Sequence, residues 1–376
     1  MISQPKLRPE MIEYLKKDPM IDIHGHFFNY KYIKNGYLSI KLPFKMWFFN
    51  ILEKVLKFFG TRLENQSLLN MENFVNMFKE STMEEILLKR MTYDIDSIYV
   101  SLMMDTSMAI KGKMEKTIRQ QMEDLRDLRN KYPHKILPFV SIDPNNPEAF
   151  QLFSDAFDDE KDFKFWGVKI YPCLGYLPSH PILMQIFKIC EEKNIPIIAH
   201  ASSGVAAKPQ YKKAHIYGLE INKDGKIVPV DKYVKLRKKE DWKLFNDPKN
   251  WIPVLEAYPN LKLNLAHFGG NEFLKFNTLE RNWVLDLIDM ILSEKYKNLY
   301  TDFSYTLYDI RKYTKLKQLL LDNPKILDKV LFGTDFFMIL LEGSFRVIRT
   351  NFITYMGENI MNKIGKENNK RFLFVE

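Results

Sequence analysis

The 376-residue sequence predicts an α/β fold, a (β/α)8 TIM barrel with long insertions after strands 1 and 5. Three observations predict it. Eight short runs of β-branched and apolar residues recur along the chain, each ending in polar or reactive side chains. Stretches of helical period separate these runs, and strand followed by helix, eight times over, is what a closed parallel barrel needs. No glycine-rich dinucleotide fingerprint follows the first run, which argues against an open doubly wound sheet.

In chain order the strands are read at residues 20–26, 96–104, 135–142, 165–171, 195–201, 261–268, 298–303 and 329–335. Helices are expected between them, for example over 113–131 and over 181–193. The second opens on Ser179-His180-Pro181, a cap followed by a proline at the first helical position. Two connections exceed the usual βα loop. One, about 27–93, carries an amphipathic helix over 42–60 and is read as a helical lid. The other, about 202–250, is read as a loop with a β-hairpin turning at Lys223-Asp224-Gly225-Lys226. Both follow strand C-termini, where they overhang the face that carries barrel active sites. Residues 1–376 are therefore read as one domain.

Composition narrows the function classes. The formal charge is +9, yet the densest basic stretch, Lys208 to Lys239, is interrupted by Glu220, Asp224 and Asp231. A solvated basic face is expected, and no nucleic-acid partner. Cys173 and Cys190 form no CxxC, so neither a disulfide framework nor a cysteine metal site is indicated. The N-terminal residues lack the apolar core of a signal peptide, and a cytoplasmic location is the expectation. Lys45, Glu53, Lys54 and Lys57 interrupt the most apolar stretch, so no membrane span is expected. Trp47, Phe48, Phe58 and Phe59 are expected to cover the barrel or cap a pocket in preference to touching a membrane.

The chemistry-bearing residues sit where the runs end. His24 and His26, two apart on a strand, share a direction and can reach one ion at the barrel mouth. Taken alone, two histidines hydrogen-bonding in a turn explain that pair equally well. Three further runs end on His200, His267 and Asp335, and four of the chain's seven histidines end predicted strands. Barrel enzymes recruit their catalytic groups from such positions, which core histidines have no reason to prefer.

The motifs DIHGHF (22–27), GVKIYP (167–172), PIIAHAS (196–202), YPNLKLNLAHFGG (258–270), FGTDFF (332–337) and IGKENNKRFLF (364–374) together resemble one family. It is the amidohydrolase superfamily, in its amidohydrolase-related branch that includes aminocarboxymuconate semialdehyde decarboxylase and γ-resorcylate decarboxylase. The two long insertions depart from the family pattern and bear on substrate more than on fold or metal. The resemblance implies that His24, His26, His200 and Asp335 hold one divalent metal ion, zinc being expected for three imidazoles and a carboxylate. Iron, manganese or cobalt would accept the same ligands. Asp335 is implied as the general base and His267 as a catalytic partner that orients the water or polarises the substrate.

Lys169 occupies the place where several amidohydrolases carry a carboxylated lysine bridging two metals. Three readings stay open for it: binding a substrate carboxylate, a carbamate with a second metal, or a structural ion pair. Tyr171, two residues on, is a substrate-contact candidate, and Asp302 a partner for a metal-ligand histidine. Cys173 lacks an evident histidine base. His134, His180 and His215 are read as surface or loop residues.

The function expected first is metal-dependent hydrolysis of a small-molecule amide, lactone or ester. The alternative is non-oxidative decarboxylation of a carboxylated aromatic or enol acid. The partner is a small molecule with an anionic group, and a homodimer is an admissible assembly.

Overall fold

The computed structural model describes residues 2–3, 5–34, 46–80, 82–160, 164–203, 212–236, 241, 243–275 and 282–374. All eight expected strands form. In chain order they are β1 (Ile21–Gly25), β2 (Ile98–Leu102), β3 (Ile136–Ser141), β4 (Gly167–Ile170) and β5 (Ile197–Ser202), then a separate hairpin of β6 (Lys213–Ile221) and β7 (Ile227–Lys235), then β8 (Leu263–Gly269), β9 (Leu299–Asp302) and β10 (Val330–Leu331). The barrel strands pair in parallel in the order β1-β2-β3-β4-β5-β8-β9-β10. Every residue in them is buried, as strands covered on both faces require.

The barrel closes between β10 and β1. Ile23 N donates to Phe332 O (3.0 Å) and Asp335 N to His24 O (2.7 Å), and Gly25 bridges Phe336. This seam depends on Gly333, where a Cβ would lie 2.7 Å from Cβ of His24.

Two bulges interrupt the ladder, and neither is visible in the hydropathy pattern. β1 shifts against β2 between Asp22 and Gly25, so that Asp22 pairs with Tyr99 but Gly25 with Ser101. The extra residue breaks strict alternation, and Asp22 reaches Arg90 while His24 turns toward Asp302. β8 shifts against β5 where Ala266 pairs with His200 but Gly269 with Ser202. His267 and Phe268 lie in that interval with φ of +73° and +43°.

The helix expected over 113–131 starts later, at Ile118, because Thr117 and Gln120 form a reciprocal capping box. The helix Pro181–Glu192 starts as expected, with the His180 ring accepting from Ile182 N at 3.3 Å. The first insertion holds three helices, Met46–Arg62, Gln66–Phe78 and Met83–Met91, where one was expected. Residues 42–45 of the predicted amphipathic segment, and the Trp47 side chain, lie outside what is described. In the first helix Phe49 is buried and Phe48 packs against the core. Phe58 and Phe59 do not cover the barrel as expected and remain 56% and 47% exposed.

In the second insertion the hairpin turns where expected. Gly225, at φ +78°, donates its N–H to Asn222 O at 2.9 Å. Among the described residues, no helix is long and apolar enough to cross a membrane.

Candidate active site

The C-terminal ends of β1, β8, β9 and β10 bring His24, His26, His267, Asp302 and Asp335 together. Among the described residues, two groups of side chains place potential ligand atoms within 4.8 Å of one another: His24, His26 and Asp335, and His24, His267 and Asp302. All are buried.

Hydrogen bonds define which nitrogen each ring offers. A carboxylate and a carbonyl only accept, so a ring nitrogen bonded to either carries the hydrogen. His24 Nδ1 lies 3.2 Å from Asp302 Oδ2, and His26 Nδ1 lies 3.1 Å from Leu102 O. Both rings therefore turn a bare Nε2 away from these partners. His26 Nε2 stands 3.6 Å from Asp335 Oδ1. Burial first, then the positive charge of Lys169, hold both imidazoles down at about 3, so they are neutral.

Asp302 organises this centre. Its carboxylate accepts from Asn264 Nδ2 (2.7 Å), His267 N (3.0 Å) and Ser304 N (3.0 Å), and from the Ser304 hydroxyl. Burial alone would raise its pKa, but the His24 ring, His267 and the Ser304 hydroxyl hold it well below the usual carboxylate range. The Ser304 Oγ also lies 3.1 Å from His24 Nδ1 and 2.9 Å from His267 Nδ1. Sequence reasoning singled out Asp302 and missed Ser304 and Asn264. Ser304 follows β9 by two residues, and a polar pair after an apolar run is too common a pattern to mark it.

A second missed network positions Asp335. Asp22, buried on β1, accepts from Thr334 N (2.9 Å), Thr334 Oγ1 (2.6 Å) and Arg90 Nη2 (2.9 Å). The Arg90 guanidinium stacks on Phe345 and Tyr99 at 4.4 and 4.6 Å. Asp335 follows Thr334 directly and sits at φ +56°, a strained conformation that the Thr334 anchor and the Asp335 N to His24 O bond hold in place.

His200 belongs to neither ligand group but adjoins the second. Its Nδ1 is 3.0 Å from Nε2 of His267, whose own Nδ1 faces the Ser304 carbonyl at 3.2 Å. Tyr171 lies against His200, ring centroids 4.6 Å apart. Cys173 is buried and its thiol is pushed up beyond the usual range, mainly by burial. His180, His134 and His215 are remote: His180 caps a helix, His134 packs near Tyr14, and His215 pairs with Asp231 at 2.6 Å.

Lys169, on β4, is 1% exposed, and its Nζ has no hydrogen-bond partner among the described residues. Burial pushes it down to about 8, against the opposing pull of Asp302 and Asp335. Burial likewise pushes Asp335 up to about 7, against the attraction of Lys169. Among the described residues, His24 Nε2, Asp335 Oδ1 and Lys169 Nζ are buried at this centre without a hydrogen-bond partner. Orphaned buried polar atoms are rare, and two imidazole nitrogens with a carboxylate oxygen fit a divalent cation. The ammonium beside them fits an anion.

An aromatic wall rises from this centre. His26 contacts Phe28 (5.6 Å), and Phe28 contacts Phe337 (5.2 Å) and Phe78 (6.4 Å). Phe78 in turn contacts Phe49 (5.4 Å), on the first insertion helix.

The family described as "Amidohydrolase" matches residues 21–375. No functionally curated protein matches the chain. Solved structures share the fold at low identity. An uncharacterized TIM-barrel protein from Bordetella bronchiseptica is 17% identical, with 94% of this chain and 98% of that one covered and a TM-score of 0.55. A 2,6-dihydroxybenzoate decarboxylase from Rhizobium is 14% identical, covering 95% and 98%, with a TM-score of 0.51. A 5-carboxyvanillate decarboxylase from Novosphingobium aromaticivorans, solved with manganese and 4-hydroxy-3-methoxy-5-nitrobenzoic acid, is 13% identical, covering 99% and 99%, with a TM-score of 0.52.

Proposed function

The chain belongs to the amidohydrolase family, and from that premise we propose that it is a divalent-metal-dependent, non-oxidative decarboxylase of a small carboxylated aromatic or enol acid. The observation that carries this reading is the buried Lys169 ammonium, without a hydrogen-bond partner among the described residues, whose charge acts on His24 and Asp335. A site built to receive a carboxylate beside a cation suits an acid whose carboxylate is the group lost. The decarboxylase names of the two solved structures above favour the same reading over hydrolysis of an amide, lactone or ester, which the sequence alone put first.

We assign the metal to His24, His26 and Asp335, with His200 as the fourth ligand. When bound, a divalent cation supplies positive charge that draws a substrate oxygen and stabilises negative charge on it. Manganese and zinc both accept such a set, and the manganese of the carboxyvanillate enzyme makes manganese the first ion to test.

The chain's own residues do the rest. Lys169 holds the substrate carboxylate as an ammonium, which leaves no place for a carbamate there and implies a single metal. The aromatic wall of Phe28, Phe78 and Phe337 excludes water from the apolar body of the substrate. Asp335 delivers a proton to the carbon that bears the carboxylate. The bond from that carbon to the carboxylate then breaks, carbon dioxide leaves, and the electron pair restores the ring or enol π system. His267, held by Ser304 at Nδ1 and by His200 at Nε2, positions the His200 ring; Asp335 regains its proton from solvent after product leaves, and Tyr171 borders the substrate.

The test is reconstitution with manganese or zinc and assay against hydroxybenzoates and small enol acids, with lactones and amides in parallel. Carbon dioxide release, with ring deuteration of the phenol product in D2O, is the expected result. Turnover confined to lactones or amides would return the site to hydrolysis. Lys169→Met is expected to raise KM for the carboxylate substrate more than tenfold, roughly the worth of one charge-assisted contact.

A further inference from the structure

The helix Met46–Arg62 is apolar on both sides. Toward the barrel it buries Phe49 and packs Leu52 and Leu56 against the core. Away from it, Ile51, Val55, Phe58, Phe59 and Leu63 recur at helical spacing and are all exposed, Ile51 at 54% and Leu63 at 63%. A surface helix ordinarily turns polar residues outward, and an apolar patch of this kind marks an interaction site.

Charge identifies the partner. Lys54, Lys57 and Arg62 are exposed beside this stripe, and the Arg62 guanidinium lies 5.8 Å over the Phe58 ring. Glu53, the acid within the helix, is turned to the inner side and paired with Lys79. In the sequence, residues 35–64 contain five basic residues (Lys41, Lys45, Lys54, Lys57, Arg62) against two acids, together with seven aromatic residues including Tyr37 and Trp47. We propose that this helix docks the protein on an anionic membrane surface, its outer stripe entering the headgroup boundary and its basic residues meeting lipid phosphates. A second copy of the chain is a poorer occupant, because a two-fold contact through this face would set the two basic rims against each other. The docking face and the candidate metal centre are joined through Phe49, Phe78, Phe28 and His26. Docking would thus place the aromatic wall of the site next to the bilayer.

The proposal is independent of the reaction assigned to the site and is tested without substrate. The full chain is floated with vesicles of phosphatidylcholine alone, or of phosphatidylcholine with about one third phosphatidylglycerol. Partition onto the anionic vesicles at least about tenfold stronger than onto neutral ones, lost at high salt, is expected. The double variant Val55→Glu/Phe58→Glu is expected to abolish it, and Lys54→Glu/Lys57→Glu to reduce it to the neutral-vesicle level. Both pairs are exposed, so melting temperatures near wild type are expected. Should the first variant melt early, the lysine variant still decides. No partition onto anionic vesicles overturns the proposal. So does a wild-type dimer that Val55→Glu/Phe58→Glu dissociates, which would assign the face to a second copy.

Discussion

The hydroxyl of Ser304 lies 3.1 Å from Nδ1 of His24 while donating its own proton to Asp302, and the same oxygen lies 2.9 Å from Nδ1 of His267. One small side chain therefore ties together two histidines from different strands and the carboxylate that orients them. The oxygen accepts where the rings donate, which leaves Nε2 of each ring without a hydrogen, that of His267 accepting from His200 Nδ1 at 3.0 Å.

Removing that hydroxyl is expected to loosen the ligands without unfolding the barrel. In Ser304→Ala, divalent-ion affinity measured by chelator competition should fall about 10- to 100-fold, the usual cost of losing an outer partner of a metal ligand. The melting temperature of the metal-free protein should change little. Unaltered affinity would mean that Asp302 alone orients the rings.

Metal binding is expected to stabilise the fold directly, because the ligands proposed above come from the ends of β1, β5 and β10 and assemble only in the folded chain. At a free ion concentration of roughly 100 times Kd the gain is about 2.7 kcal/mol. Thermal melts with added manganese or zinc should show it, and a chelator should reverse it. His26→Ala and Asp335→Asn should each abolish the shift. A stabilisation that survives both variants would place the ion elsewhere.

The Asp22–Arg90 pair is buried on both sides, with Nη2 to Oδ2 at 2.9 Å. Truncating one member strands the other as an uncompensated buried charge, so Arg90→Met or Asp22→Ala is expected to cost about 3–5 kcal/mol in urea unfolding. Asp22→Ala also frees the Thr334 backbone that anchors Asp335, and it should weaken metal binding as well as stability. A loss below about 1 kcal/mol, the worth of an exposed pair, would be incompatible with the burial seen here.

Asp143, just after β3, is pushed up to about 7 by burial first and by Asp105 second. A carboxyl whose folded pKa lies above its unfolded value binds the proton more tightly when native. Stability it contributes is therefore present at low pH and declines between about 4 and 7, where the native state alone still holds the proton. Asp143→Asn should flatten that part of the stability curve. The variant should be more stable than wild type above neutrality, by a margin on the order of a few kcal/mol. Parallel wild-type and variant curves would remove Asp143 as the source.

Much of the architecture is legible in the sequence. Strand runs of buried, β-branched residues state their own period, and His24, His26, His200, His267 and Asp335 could be placed because each follows such a run directly. The helix start at Ile118 was misjudged because the capping box of Thr117 and Gln120 competes locally with a helical pattern that extends further back. Phe58 and Phe59 face outward against expectation, since a helix with apolar residues on two faces does not say which face meets the barrel.

The sequence by itself determined the eight-fold strand and helix alternation and the types of side chain at the strand ends, because both are written in local periodicity. Tertiary structure alone decided what those side chains do to one another. The Asp302 carboxylate orients His24 across 278 residues of chain, Ser304 joins His24 to His267, Asp22 holds the turn before Asp335, and Lys169 is buried without a hydrogen-bond partner among the described residues. Each depends on bulges and strand order that bring distant residues within hydrogen-bond reach, and no local pattern encodes such distances.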